Sequence, residues 1–222
     1  MIVAVLRSGG MYRPDHVREL RAQIALWAPG EAFGCLTDTV IPGVLTHKLA
    51  HDWPGWWSKI ELFRPGLFPD GLRLLYLDLD SVVVGSLAPL LARRERFLAL
   101  EDFYRRPPEY ARGLGSGVMG WTAGDPLVAS WYHEFTSDPQ TYMRACGYGG
   151  DQRYIETALT VGGTWSELTF WQDVCPAALV SYKVHCLNGQ IPPGARVVCF
   201  HGRPKPWQVP ALEAPWGSRC HT

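Results

Sequence analysis

The sequence has no surplus of either charge. Lys and Arg number 21 and Asp and Glu number 21, for a formal net charge of +0 over 222 residues. A chain whose main task is to hold nucleic acid or an anionic membrane needs a basic excess, so both are excluded as principal partners. A small basic pocket for one phosphorylated ligand is still compatible with this balance. No apolar run approaches the roughly 18–20 residues that span a bilayer, so no transmembrane segment is expected. The opening Met1–Leu6 is apolar but stops at Arg7 and has no basic leader. It therefore reads as a first strand rather than an export signal, and a cytoplasmic location is expected. Cys35, Cys146, Cys175, Cys186, Cys199 and Cys220 contain no C-x-x-C pair and no zinc-finger spacing with His. Without an export signal they are expected to be free thiols, most of them buried. Internal repeats and low-complexity stretches are also missing.

What is present is a globular composition, with 47% apolar and 19% charged residues. This length suits one domain over residues 1–222, with a core large enough to need neither disulfide nor structural metal. Ten tryptophans are many for the length. Core packing accounts for more than half of them, and indole faces left over suit sugar rings.

Strand-like runs alternate with helical ones. Val17, Leu20, Ile24 and Trp27 are spaced three or four apart after Pro14, which predicts a helix ended by Pro29-Gly30. Ala32–Thr37 reads as a strand, Trp56–Phe63 as a short helix, and Leu72–Leu77 as a strand buried on both faces. Phe97–Leu100 and Val118–Trp121 are further strands. Asp125 caps a helix with Val128, Trp131 and Phe135 on one face, and Gly149-Gly150-Asp151 opens another to about Leu159. Arg196–Phe200 is a last strand, before an irregular tail over residues 201–222. Alternating β and α elements predict an α/β fold with a Rossmann-like, mostly parallel central sheet flanked by helices. Ligands then bind beyond the carboxyl ends of the strands.

The strongest local signal lies at such an end, in Leu75-Tyr76-Leu77-Asp78-Leu79-Asp80-Ser81. Carboxylates at i and i+2 of an extended segment share a face. They repel unless a cation lies between them, and hard oxygen donors favour Mn²⁺ or Mg²⁺. Two chemistries use this arrangement: a metal held on a nucleotide-sugar pyrophosphate, or a haloacid-dehalogenase-type phosphatase in which Asp78 is the nucleophile. A second signal, His201-Gly202-Arg203-Pro204-Lys205-Pro206-Trp207, follows the last strand. It offers an imidazole for a transition metal and positive charge for phosphate. Gly113–Met119 is a Gly-rich entry to a strand, and Gly150-Asp151-Gln152 sets a carboxylate and an amide at a helix start.

In this order the pieces resemble glycosyltransferase family 8, which includes glycogenin and bacterial lipopolysaccharide galactosyltransferases. The matching segments are Asp78-Leu79-Asp80, Ser116-Gly117-Val118, Gly150-Asp151-Gln152, and a closing element of His201, Gly202 and Lys205-Pro206-Trp207. Lys59 matches a lysine upstream of the D-x-D. The closing element departs from the family's pattern, which places Lys six residues after His and Gly three after it. Here Lys205 is four after His201, and Gly202 is adjacent. The resemblance implies a GT-A fold, a UDP-sugar donor (UDP-glucose or UDP-galactose), and transfer of a hexose with retention to a saccharide, lipid or protein acceptor. It further implies Mn²⁺ or Mg²⁺ on Asp78, Asp80 and His201, with the tail closing the donor site. Tyr12, Lys59, Ser116, Gly117, Gly202 and Lys205 would contact the donor, Tyr12 by stacking on the uracil. Asp151 and Gln152 would lie near the anomeric carbon. The alternatives are the phosphatase, which needs a later Asp-Asp pair that the sequence lacks, and a non-catalytic sugar-binding protein.

Overall fold

A computed structural model describes residues 1–104, 112–186 and 189–209. Its strands are β1 (Ile2–Leu6), β2 (Phe33–Thr37), β3 (Leu45–Lys48), β4 (Arg73–Leu77), β5 (Ser81–Val83), β6 (Phe97–Glu101), β7 (Leu114–Thr122), β8 (Leu168–Phe170), β9 (Leu179–Ser181) and β10 (Val197–Cys199). The helices are α1 (Pro14–Trp27), α2 (Ala88–Leu91), α3 (Pro126–Ser137), α4 (Pro139–Cys146), α5 (Gly150–Val161), α6 (Trp171–Val174) and α7 (Tyr182–His185).

A seven-stranded sheet runs in the order β3-β2-β1-β4-β7-β6-β8. All its pairings are parallel except those of β7 with β4 and β6. The mostly parallel sheet expected from the alternating elements is therefore present. β1, and β4 after Arg73, are apolar because each face of the sheet has its own core. Val3 and Val5 of β1, with Leu74 and Tyr76 of β4, point to a core built with α3, α5 and the segment Gly55–Phe63. Ile2, Ala4 and Leu6, with Leu75 and Leu77, point to the opposite core, where Val17, Leu20 and Ile24 of α1 pack. The period of two along a strand divides the residues in this way. Trp57, Trp121 and Trp131 fill the first core and Trp171 the second, as core packing predicts for most of the indoles.

A second sheet, in the order β5-β10-β9, was not anticipated. The strand predicted over Arg196–Phe200 is its central member, paired antiparallel with β5 and parallel with β9. Strands of three residues carry too little periodicity to stand out from a loop. The helix predicted over Trp56–Phe63 is a 3-10 segment, Gly55–Phe63, in which every residue from Trp57 on is buried. Burial on all sides leaves no polar stripe to reveal the helical period. Cys35, Cys146, Cys175, Cys186 and Cys199 are free thiols, all but Cys146 buried. Cys220 and the tail beyond Val209 lie outside the described residues. Among the described residues, no helix is long and apolar enough to cross a membrane.

Candidate functional site

The two sheets meet at the D-x-D. β4 ends at Leu77, the turn Asp78-Leu79-Asp80 is closed by Ser81 N–H donating to the Asp78 carbonyl (2.9 Å), and β5 starts the second sheet. The pairing Ser81↔Cys199 brings β10, and the segment that follows it, beside Asp80. On the other side, Asp78 N–H donates to the Gly117 carbonyl (2.9 Å). Gly117 lies in a bulge of β7: Ala99 pairs with Met119 but Leu100 with Gly115, so residues 116–118 have no partner on β6. Bulges of this kind re-aim a strand next to a site. A Cβ at Gly117 would stand 3.3 Å from Asp78 Oδ2, so the glycine makes room for the carboxylate.

These elements enclose a cavity of about 860 Å³. It is lined by the predicted metal, donor and catalytic residues Tyr12, Lys59, Asp78, Asp80, Ser116, Gly117, Asp151, Gln152, His201, Gly202 and Lys205. The volume falls in the upper part of the roughly 300–1,000 Å³ range of ligand pockets.

Two lysines organise the charge. Lys59 Nζ, buried, lies 3.3 Å from Asp78 Oδ1 and 3.1 Å from Asp151 Oδ2, and donates to Ser116 Oγ at 3.2 Å. Burial works against its charge, but Asp151 and Asp78 outweigh burial and hold the ammonium above the usual lysine range. Asp151 is 4% exposed, and burial raises its carboxyl above the ordinary value despite Lys59. Its Oδ2 has no hydrogen bond of good geometry. Asp151 does not cap α5, whose N-cap is Gly149 and has no side-chain cap; it sits inside the first turn and faces Lys59. The Tyr76 hydroxyl donates to Asp78 Oδ1.

The second lysine, Lys205, contacts Asp80 Oδ2 and donates to the Tyr12 hydroxyl at 3.0 Å. Tyr12 in turn donates to Asp80 Oδ2 at 2.8 Å. Burial, then the nearby Asp78 charge, raise the Asp80 carboxyl. The phenol of Tyr12, expected to stack on a base, is thus committed by its hydroxyl to Asp80. Gln152 Nε2 donates to Asp102 Oδ2 at 3.5 Å. Gly202 adopts φ 69°, the left-handed region that favours glycine, and turns the chain between His201 and Lys205.

His201 lines the cavity, but its Nε2 lies 2.7 Å from Ser181 Oγ, with Phe103 stacked on the ring at 5.7 Å. Burial and the Lys183 charge lower its pKa. Among the described residues, no three His, Cys, Asp or Glu side chains gather into a metal cluster, so Asp78, Asp80 and His201 do not form a ready triad. The residue that the sequence reading passed over is Cys199. It ends β10, is buried and lines the cavity; burial, then Asp80 and Asp78, push its thiol far up. The signal was available: counting back from Lys205, the family spacing puts glycine at Gly202 and its His position at Cys199.

Gly150 has φ 59°, and a Cβ there would stand 2.6 Å from Trp56 Nε1. Gly150→Ala is expected to cost about 1–3 kcal/mol through backbone strain and the displaced indole, read by urea denaturation. An unchanged midpoint would show that the Trp56 contact gives way freely.

No protein-family model matches the sequence, and no curated protein matches it. Solved structures do. The galactosyltransferase LgtC, in complex with donor and acceptor sugar analogues, matches with a TM-score of 0.65 at 13% identity, over 98% of this chain and 92% of its own. The glycosyltransferase GlyE of Streptococcus pneumoniae matches at 0.59 and 13% identity, over 93% of this chain and 56% of its own. Mouse xyloside xylosyltransferase 1 matches at 0.54 and 13% identity, over 91% of this chain and 97% of its own. The chain therefore has the GT-A glycosyltransferase fold.

Proposed function

We propose that the protein is a metal-dependent glycosyltransferase that moves a hexose from UDP-glucose or UDP-galactose to an acceptor, with retention. The observation that carries this reading is the single cavity at the end of β4. It joins Asp78, Asp80, two lysines and a buried Asp151 on a GT-A fold. Exposed Trp56, Tyr104 and Tyr148 rim the same cavity and offer flat faces to a sugar, which favours a saccharide acceptor over a lipid or protein one.

The fold family implies a divalent cation. The donor set fits one: Asp78 and Asp80 present hard oxygens to one cavity, and Asp80 is buried beside a like charge. Asp78 and Asp80 would hold it, and when bound it supplies positive charge to the departing diphosphate. His201, turned to Ser181, is not poised as third ligand. Lys205 and Lys59 supply the chain's own positive charge, Lys205 at the Asp80 end of the cavity and Lys59 between Asp78 and Asp151. Asp151 lines the cavity with its Oδ2 held 3.1 Å from the Lys59 ammonium, a fixed negative charge beside the reacting centre. A phosphatase of that type would need an adjacent Asp-Asp pair beyond Asp80 to complete its Mg²⁺ site, and the sequence has none.

UDP is expected to bind much more tightly with Mn²⁺ than with EDTA, and Asp80→Asn to lose most of that difference while melting as a folded protein. Calorimetry giving equal UDP affinity with and without metal would remove the metal from this reading. Release of UDP from UDP-glucose or UDP-galactose separates the transferase from both the phosphatase and a sugar-binding protein.

A further inference from the structure

Asp80 already carries a cation. The Lys205 ammonium and the Tyr12 hydroxyl both lie on its Oδ2, and Lys205 is itself 8% exposed. Lys205 is tied down at its base. Its N–H donates to Gln208 Oε1 at 2.9 Å, and the neighbouring Trp207 stacks on His16 of α1 at 4.0 Å with 13° between the planes. The Trp207 ring also meets the edge of Tyr12 at 5.9 Å. The two lysines differ in one respect. Lys59 is shared between two carboxylates and a hydroxyl, so it stays bound if Asp78 turns to another cation. Lys205 has Asp80 as its carboxylate partner.

An ammonium and a divalent ion cannot occupy one carboxylate oxygen together, because their charges repel strongly in a buried setting. A metal that takes Oδ2 therefore displaces Lys205, and one that takes Oδ1 stands within a carboxylate's width of the ammonium and weakens its hold. With no anion present, the displaced ammonium loses a charge-assisted contact and gains nothing. With a diphosphate present, it exchanges carboxylate oxygen for phosphate oxygen. We propose that Lys205 is a tethered counter-ion that competes with the divalent cation for Asp80, so that metal and nucleoside diphosphate bind cooperatively. The proposal rests on the donor-site reading above. By linkage, the factor by which UDP tightens metal binding equals the factor by which metal tightens UDP binding.

The test is titration of the whole chain with Mn²⁺, followed by the spin-resonance signal of the free ion, with and without UDP. The wild-type protein is expected to bind Mn²⁺ weakly alone and more tightly with UDP. Lys205→Met is expected to bind Mn²⁺ alone on the order of 10- to 100-fold more tightly than wild type. In that variant the tightening by UDP shrinks. Tyr12→Phe keeps the lysine but removes the hydroxyl, and shifts metal-only affinity in the same direction by less; it decides the matter if Lys205→Met does not fold. A Lys205→Met protein that binds Mn²⁺ alone no more tightly than wild type overturns the proposal, as does a wild type that binds Mn²⁺ equally with and without UDP. Failure of UDP to bind under any condition overturns the donor-site reading, while the metal-only comparison still decides whether Lys205 competes. Absence of Mn²⁺ binding in every variant overturns the proposal.

Discussion

Lys59→Met is expected to lower the stability of the fold by about 3–5 kcal/mol, the cost of stranding buried charge. Lys59 is the cation between Asp78 and Asp151, at 3.3 and 3.1 Å, and hardly any of its side chain is exposed to water. Methionine fills a similar volume, so the loss is electrostatic rather than a cavity. Asp151 is then left at 4% exposure without a counter-charge, next to a second carboxylate. Burial already raises the Asp151 carboxyl in the wild type, and loss of Lys59 raises it further. A carboxyl held above its unfolded value binds its proton more tightly in the folded state, so lowering the pH favours the fold. The deficit of Lys59→Met should therefore be largest near neutrality and shrink as the pH falls toward the ordinary carboxylate range. Urea denaturation of both proteins across that window measures it. A deficit independent of pH would mean that the lysine acts through its stem and packing alone.

The sequence made the sheet legible where packing is symmetric. β1, and β4 after Arg73, are apolar because both faces are covered, and dense apolar runs of that length are hard to read otherwise. α1 and α3 were legible because one face of each is buried and the other wet, and Asp125 does accept from Leu127 N–H at 2.8 Å. β5, β9 and the sheet they form with β10 were hidden, since three residues give no period and their partners are distant in sequence. The site was legible through chemistry rather than pattern. Asp78, Asp80, Asp151 and Lys205 are polar residues at ends of elements, Lys59 is a charge inside an apolar segment, and all line one cavity. Cys199 was hidden because a thiol on an apolar strand reads as core. His201 drew attention because imidazole is a better-known ligand, yet its nitrogen is at Ser181. The contact between Lys205 and Asp80 spans 125 positions, and only the pairing of β10 with β5 brings them together.

Asp151→Asn is expected to lower turnover about 10²-fold or more, the effect of losing one preorganised charge at a reacting centre, while leaving UDP affinity close to wild type. The asparagine keeps the volume at the first turn of α5 and removes only the charge. Under the proposed function, donor binding falls to Asp78, Asp80 and Lys205, and Lys59 keeps Asp78 as a partner. A carboxylate in the first turn of a helix is also favoured by the helix dipole, so Asp151 stays ionised in use more readily than burial alone would allow. Stability should fall by about 1–3 kcal/mol, because a buried charge-assisted contact to Lys59 becomes a neutral one. That loss is smaller than for Lys59→Met, since no carboxylate is stranded. The rate of UDP release and the calorimetric affinity for UDP read the two sides separately. A fall in turnover alone means that Asp151 stabilises the transition state and not the bound donor. An equal fall in turnover and in UDP affinity would mean that Asp151 acts by positioning Lys59. Wild-type turnover would reduce Asp151 to the buried counter-ion of that lysine.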